Sequence, residues 1–206
     1  MDMILCMGAG ISSAHGVEKA DTGQKVVGVM GDSTFFHSGI TGLLDIGYNK
    51  GKCTIFVLDN RSTAMTGHQE HPGTGKTLMG DPTMEASIEA FARACGIRRV
   101  CVVDPYDVEN LRKTVKEELN ADEASVIVTK APCILLDQQN LKKEPLMIDQ
   151  EKCRACGLCL KLSCPGLEKH PEEDGSFHVE INNVLCAGCT MCAQVCPFDA
   201  IKKSSE

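Results

Sequence analysis

Tryptophan is absent from this 206-residue chain, which holds only two tyrosines and six phenylalanines. So few rings exclude the stacking platforms that grip single-stranded bases. Basic residues are outnumbered, 21 Lys and Arg against 28 Asp and Glu, for a net charge of −7. No basic stripe is left to follow a phosphate backbone, so nucleic acid is not an expected partner. No apolar run approaches the roughly 20 residues that span a bilayer, so no membrane association is expected. Residues 1–5 lack the charged start and long apolar core of a secretory signal, which places the expected location in the cytoplasm.

Cysteine, by contrast, is abundant: thirteen, eight of them crowded between residues 153 and 196. Disulfides belong to small secreted frameworks, whereas a signal-less α/β chain points to reduced thiols and metal ligation. The crowded residues form Cys153-x2-Cys156-x2-Cys159-x4-Cys164-Pro165 and Cys186-x2-Cys189-x2-Cys192-x3-Cys196-Pro197, repeating at 33 residues. Zinc ribbons use CxxC pairs rather than CxxCxxC triplets followed by CP. The spacing resembles a bacterial-type ferredoxin module with two [4Fe–4S] clusters. In such modules three close thiolates hold one cluster and the remote fourth holds the other. The resemblance implies Cys153, Cys156, Cys159 and Cys196 for one cluster, and Cys164, Cys186, Cys189 and Cys192 for the second. The x4 spacing before Cys164 departs from the usual x3 and implies one extra residue in that loop. Residues 177–181, after Asp174-Gly175, read as a hairpin strand over the clusters.

The first two thirds alternate strand and helix patterns, the signature of an α/β domain with a parallel sheet. Apolar runs at 26–30, 53–58, 100–103 and 125–129 read as buried strands. Helical spacing is found at 40–48 and at 108–119, where Leu111, Val115 and Leu119 share a side. Thr83 is a plausible N-cap for a helix with Met84, Ile88, Phe91 and Ala92 inward and Gly96 at its end. Residues 3–5 read as a strand remnant. The Glu117-Glu118, Arg98-Arg99 and Lys202-Lys203 pairs read as solvated faces, and Cys53, Cys95 and Cys101 as small buried hydrophobes. Cys133 has no cluster spacing. The expected domains are 1–136 and 147–206, with a polar linker at 137–146.

Within the first domain the strand pattern at 26–30 runs into Gly31-Asp32-Ser33-Thr34-Phe35-Phe36-His37-Ser38-Gly39, and the second strand ends in Leu58-Asp59-Asn60. Asp32 and Asn60 then sit at the carboxyl ends of parallel strands, the rim where open α/β sheets bind ligands. A carboxylate, an amide oxygen and a helix N-terminus suit a magnesium diphosphate. Gly31-Asp32-Ser33, with Asn60 28 residues after Asp32, resembles the GDG…N thiamine-diphosphate motif, with Ser33 in place of the last glycine. The longer string, with Asn60-Arg61-Ser62 and Met65-Thr66-Gly67, is similar to the large (alpha) subunit of indolepyruvate:ferredoxin oxidoreductases, in its C-terminal portion.

That resemblance implies a cofactor set of thiamine diphosphate, Mg²⁺ and two [4Fe–4S] clusters. Asp32, the Asn60 side chain and the Ser62 carbonyl would hold Mg²⁺. Backbone around Gly31, Ser33, Thr34, Met65, Thr66 and Gly67 would hold the diphosphate, and Cys6, Met7 and Gly8 would lie against the cofactor rings. Read without it, Cys6–Gly10 is only a strand-to-helix turn with glycines for a tight bend. His37 is an open candidate for facing the cofactor. His68 and His71 lie in an irregular stretch at 61–82, long enough to suggest function, and are candidates for substrate or phosphate. Gly73-Thr74-Gly75-Lys76-Thr77 imitates the end of a P-loop, but Glu70 stands where its first glycine belongs.

The implied reaction is oxidative decarboxylation of an aryl 2-oxo acid to its acyl-coenzyme A, with electrons leaving through the clusters to ferredoxin. The implied partners are a beta subunit, ferredoxin, coenzyme A and the 2-oxo acid. A pyrimidine-binding portion carrying an activating glutamate is not found in these residues, so the chain alone is expected to be inactive. Oxygen-sensitive clusters suggest an anaerobic source. Two alternatives stand beside this: the same chemistry on pyruvate, 2-oxoglutarate or branched 2-oxo acids, or an electron-transfer protein that binds no thiamine.

Overall fold

A computed structural model describes residues 3–20, 23–136 and 143–203. Contacts divide the chain into two compact units, 1–133 and 134–206.

The first unit is a four-stranded, all-parallel sheet of β1 (Val27–Gly31), β2 (Thr54–Asp59), β3 (Arg99–Val103) and β4 (Ser125–Lys130), in the order β1-β2-β4-β3. Parallel strands read as apolar runs rather than alternations, which is why these four were visible in sequence, but the expected burial holds on one face only: Val27, Val29 and Leu58, on the face away from the core, are exposed. Ile55, Val57, Val126 and Val128 point to one face, where α1 (Ala9–Lys19), α3 (Ile40–Tyr48) and α4 (Ile88–Ala94) close a single core with Ile11, Leu43, Ile46 and Ala92. Cys53 and Cys95 are buried in that core, and burial pushes the Cys53 thiol up to about 11, so both behave as inert apolar groups.

Several sequence expectations are corrected. Residues 3–5 form no strand; Met3, Ile4 and Leu5 are exposed and pair with no other strand among the described residues. Helix α4 begins at Ile88, not after Thr83, because the Ser87 hydroxyl accepts the Ala90 N–H at 3.0 Å and caps it. Met84 is therefore exposed on a loop, and Phe91 is only half-buried, while Gly96 takes the left-handed φ of +91° that stops the helix. Helix α5 (Val108–Leu119) has the expected half-buried stripe. Its Glu118, however, is not a solvated charge: it is 4% exposed and takes two bonds from the Arg99 guanidinium, at 2.8 and 2.9 Å. Cys101 is only half-buried, and its thiol donates to the same carboxylate at 3.5 Å. In the Lys202-Lys203 pair, Lys202 lies 3.5 Å from Asp149.

The second unit holds two small antiparallel ribbons, β5 (Leu146–Ile148) with β8 (Ile201–Lys203), and β6 (Leu167–Pro171) with β7 (Phe177–Ile181). A 3₁₀ turn (Cys159–Leu162) carries Cys159 and a one-turn helix, α6 (Met191–Gln194), carries Cys192; the other six cysteines of the two motifs lie on irregular segments. Of the expected linker, residues 137–142 lie outside the described residues. Its end belongs to the second unit, since the Lys143 N–H donates to the Ala187 carbonyl at 3.1 Å and β5 opens at Leu146. Among the described residues no helix is long and apolar enough to cross a membrane.

Candidate cofactor and cluster sites

Strand β1 delivers its last residue, Gly31, to a helix that runs in three segments. They are α2 (Asp32–Thr34), a π-helical turn (Phe35–Gly39) and α3. Such π turns recur at functional sites because they re-aim side chains within a continuous helix. Asp32, the first helical residue, is only 2% exposed. Its Oδ1 accepts the Ser33 N–H at 2.7 Å and its Oδ2 accepts the Arg61 N–H at 2.9 Å. The second bond brings the turn after β2 onto the helix start, so the Asp32 and Asn60 segments converge on one rim of the sheet. Asn60 Oδ1 accepts the Ser62 N–H at 3.1 Å, an Asx turn that fixes its amide. Arg61 sits in the left-handed region at φ +63°, a strained conformation for a residue with a side chain.

Two residues that sequence reasoning did not place there complete this cluster. Asp59, the last residue of β2, is 4% exposed and shares the Arg61 N–H at 3.1 Å. Burial raises the Asp59 carboxyl above its ordinary range, against the pull of Arg61. Asp32 goes the other way. Burial also works to raise it, but the His71 imidazole beside it and the bond from the Ser33 amide hold it below the ordinary range. His71, one of the two loop histidines of the sequence reading, is buried with its Nε2 3.2 Å from Asp32 Oδ2. A charged residue closing an apolar strand was the only sequence signal for Asp59. For His71 the signal was the irregular stretch itself.

That stretch is ordered by its own bonds. A 3₁₀ turn (Ala64–Thr66), bridges Thr63–Gln69 and Lys76–Pro82, and an Ala86 N–H to Pro72 carbonyl bond at 2.9 Å fold it back over the rim. Gly67 has φ +120°. Met65 is exposed at the tip, and Thr66 is tied to Gln69. His68 Nδ1 is 3.4 Å from the buried Ser62 hydroxyl. The P-loop imitation is part of this fold and follows no strand. On the other side of β1, Gly8 heads α1 at φ +90°; a Cβ there would come 2.1 Å from Ser38 Oγ, so only glycine fits. Cys6 and Met7 are exposed beside it. His37 is exposed and bonds Ser38, not Asp32. Ser33 is half-buried and Thr34 buried in the first helical turn.

In the second unit Cys153, Cys156, Cys159 and Cys196 line one pocket, with Ile148, Val179 and Phe198 among its apolar walls. Val179 comes from β7, so the hairpin covers this cavity. Cys192 is buried, and its thiol is pushed up to about 12, by desolvation first and then by the sulfurs of Cys189, Cys186 and Cys164. The remote cysteines thus join the opposite triplets. Among the described residues no three His, Cys, Asp or Glu converge as one metal ion requires. Sulfurs spread around a cavity fit a multi-atom cluster better than a single zinc ion, which draws its ligands to a point. Cys186 also accepts the Leu146 and Gly188 N–H groups at 3.5 and 3.4 Å.

The oxygen donors at the sheet rim likewise fit a hard cation rather than a soft one. Comparison with known proteins finds a match for each unit. Residues 1–129 match the family model "Thiamine pyrophosphate enzyme, C-terminal TPP binding domain", and residues 145–197 match "4Fe-4S dicluster domain". The whole chain is 40% identical to the indolepyruvate oxidoreductase subunit IorA of Methanothermobacter marburgensis and 35% identical to that of Archaeoglobus fulgidus, spanning 32% and 33% of their lengths. The chain thus spans about a third of the relatives it matches. A solved 2-oxoglutarate:ferredoxin oxidoreductase from Magnetococcus marinus shares the fold, with TM-score 0.55 and 16% identity over 62% of this chain and 46% of that one. With a buried carboxylate and an amide turn on one sheet rim, and eight spaced cysteines in the second unit, the chain belongs to the thiamine pyrophosphate enzymes, carrying their C-terminal TPP-binding domain joined to a 4Fe–4S dicluster domain.

Proposed function

We propose that this chain carries the diphosphate half-site and the electron outlet of an indolepyruvate:ferredoxin oxidoreductase. The observation that supports it most directly is the Arg61 N–H bond to Asp32, which brings the Asn60–Ser62 turn to a buried carboxylate at a helix start. Asp32, the Asn60 amide oxygen and the Ser62 carbonyl hold Mg²⁺. The backbone at Gly31, Ser33, Thr34, Met65, Thr66 and Gly67 takes the diphosphate, and Cys6, Met7 and Gly8 meet the rings. When bound, thiamine diphosphate supplies the electron sink for decarboxylation of a 2-oxo acid, and the clusters supply one-electron acceptors. The chain's own part is to anchor, to exclude water with the 61–86 loop, and to hold two clusters. Cys153, Cys156, Cys159 and Cys196 take one, and Cys164, Cys186, Cys189 and Cys192 the other.

Aryl 2-oxo acids are the proposed substrates, supported by the names of relatives 35–40% identical over the whole chain. The rest of such a subunit supplies the pyrimidine side and its activating glutamate; a beta subunit, coenzyme A and ferredoxin complete the reaction, in an anaerobic cytoplasm. Calorimetry with thiamine diphosphate and Mg²⁺, with the complementary portion of a relative supplied in trans, tests the reading. Wild type is expected to bind and Asp32→Ala to lose at least about 100-fold in affinity. Equal binding by the two sinks the proposal. Turnover of indolepyruvate against pyruvate and 2-oxoglutarate in the reconstituted complex tests the substrate.

A further inference from the structure

Lone-pair accounting at Asp32 leads past the ligand set. A carboxylate oxygen offers two in-plane lone pairs. Oδ2 accepts the Arg61 N–H at 2.9 Å and turns its remaining pair toward His71 Nε2, 3.2 Å away. Oδ1 accepts only the Ser33 N–H at 2.7 Å and keeps one pair.

The histidine's protonation is set by its other nitrogen. The Gly73 N–H donates to His71 Nδ1 at 3.1 Å, so Nδ1 is the acceptor and Nε2 carries the hydrogen. An Nε2–H has no free pair and cannot ligate a cation. Toward Asp32 it can only donate. Both side chains are 3% exposed, so water does not substitute for this contact. Nε2 has no other partner, and its line to Oδ2 falls short of full hydrogen-bond geometry. A small rotation of either group completes the bond. The ring is held in place by Phe36, whose centroid lies 5.8 Å away and which is itself wedged edge-on against Phe35 and Phe91 at 5.6 and 6.0 Å.

We propose that His71 is the positioning residue of the cation site: by donating from Nε2 to Asp32 Oδ2 it locks the carboxylate so that Oδ1 alone faces the ion. This rests on the reading of Asp32 as a cation ligand given above. Outer-sphere partners of metal-binding carboxylates are worth about 10- to 100-fold in metal affinity, and that is the effect expected here.

The contrast that isolates it is His71→Gln against His71→Asn. The two variants bring the same amide, but only glutamine places an N–H near the position of Nε2. Mn²⁺ serves as the probe, its binding to the chain, with the complementary portion of a relative supplied in trans, followed by EPR in the presence of thiamine diphosphate. Glutamine is expected to keep Mn²⁺ affinity within about threefold of wild type, and asparagine to lose about tenfold or more. Circular dichroism of both variants separates a binding loss from a folding loss. Equal affinity of the two folded variants, or wild-type affinity in the asparagine variant, overturns the proposal. Asp32→Ala tells the levels apart. If it binds Mn²⁺ like wild type, the cation reading itself falls and the role of His71 with it. If it alone loses Mn²⁺, that reading stands and only the role of His71 is lost.

Discussion

The two units differ in what their cores are made of. The α/β unit closes on aliphatic side chains from four strands and three helices, and its site is built afterwards, on loops at the rim. The cysteine unit builds its small core from Leu146 and Ile201 together with Cys186 and Cys192, with Cys159 and Cys196 packed against them, and buries Val179 and Ala200 besides. Its core and its site share atoms. A scaffold with an independent core can hold a strained or charged site without unfolding. A unit whose ligands are its core depends on the ligand being present, since metal-binding free energy then counts as folding free energy.

The largest effect expected from this contrast is on iron removal. Chelation under reducing conditions is expected to unfold residues 134–206 while leaving the parallel sheet intact. Limited proteolysis would then release a stable fragment ending near residue 133, and survival of both units without iron would falsify the distinction. Second comes the opposite lesion. Ile55→Ala, in the center of the sheet core, removes packing worth roughly 2–5 kcal/mol. It is expected to lower the denaturant midpoint of the first unit without changing the iron and sulfide content of the second. Loss of iron in that variant would mean that the two units fold as one.

Smaller is the effect of the exposed ribbon in the second unit. His170 and His178 stack across β6–β7 at 5.1 Å, and His178 Nδ1 bonds Glu172. That bond raises the His178 imidazole above its usual value near 6.5. A raised value in the folded state means stability that is fully present below the unfolded value and is lost as pH rises through the folded one. NMR titration should place His178 above 6.5 and Glu172→Gln should bring it down; an unmoved titration would show that the pair does not form in solution. Because the ribbon is exposed, the global unfolding midpoint should barely respond.

Much of this was legible in the residues. The four strands announced themselves as short continuous apolar runs, although Val27, Val29 and Leu58 prove exposed, and α5 was readable to the residue because its stripe repeats at helical spacing. The cysteine spacing carried the resemblance to a dicluster module, which the match over residues 145–197 bears out, because three thiolates three positions apart can wrap one side of a cubane with no tertiary information. The missed features share a cause. Ser87 was passed over as a cap because Thr83 is equally suited by chemistry, and only the fold of the preceding loop decides between them. Glu118 read as solvent-facing because the partner that buries it, Arg99, lies 19 residues away on a strand. His71 could not be ranked above His68, since both sit in one polar loop whose return path is written in scattered backbone bonds rather than in any period.

Local chemistry alone thus set most of the elements and where the sheet rim falls, since periodicity and short-range spacing act within a few residues. Tertiary structure decided which charges are buried, that Asp59 and His71 join Asp32, and which nitrogen of His71 holds the hydrogen. Those outcomes depend on groups distant in sequence meeting where water is excluded, and no local pattern encodes such a meeting.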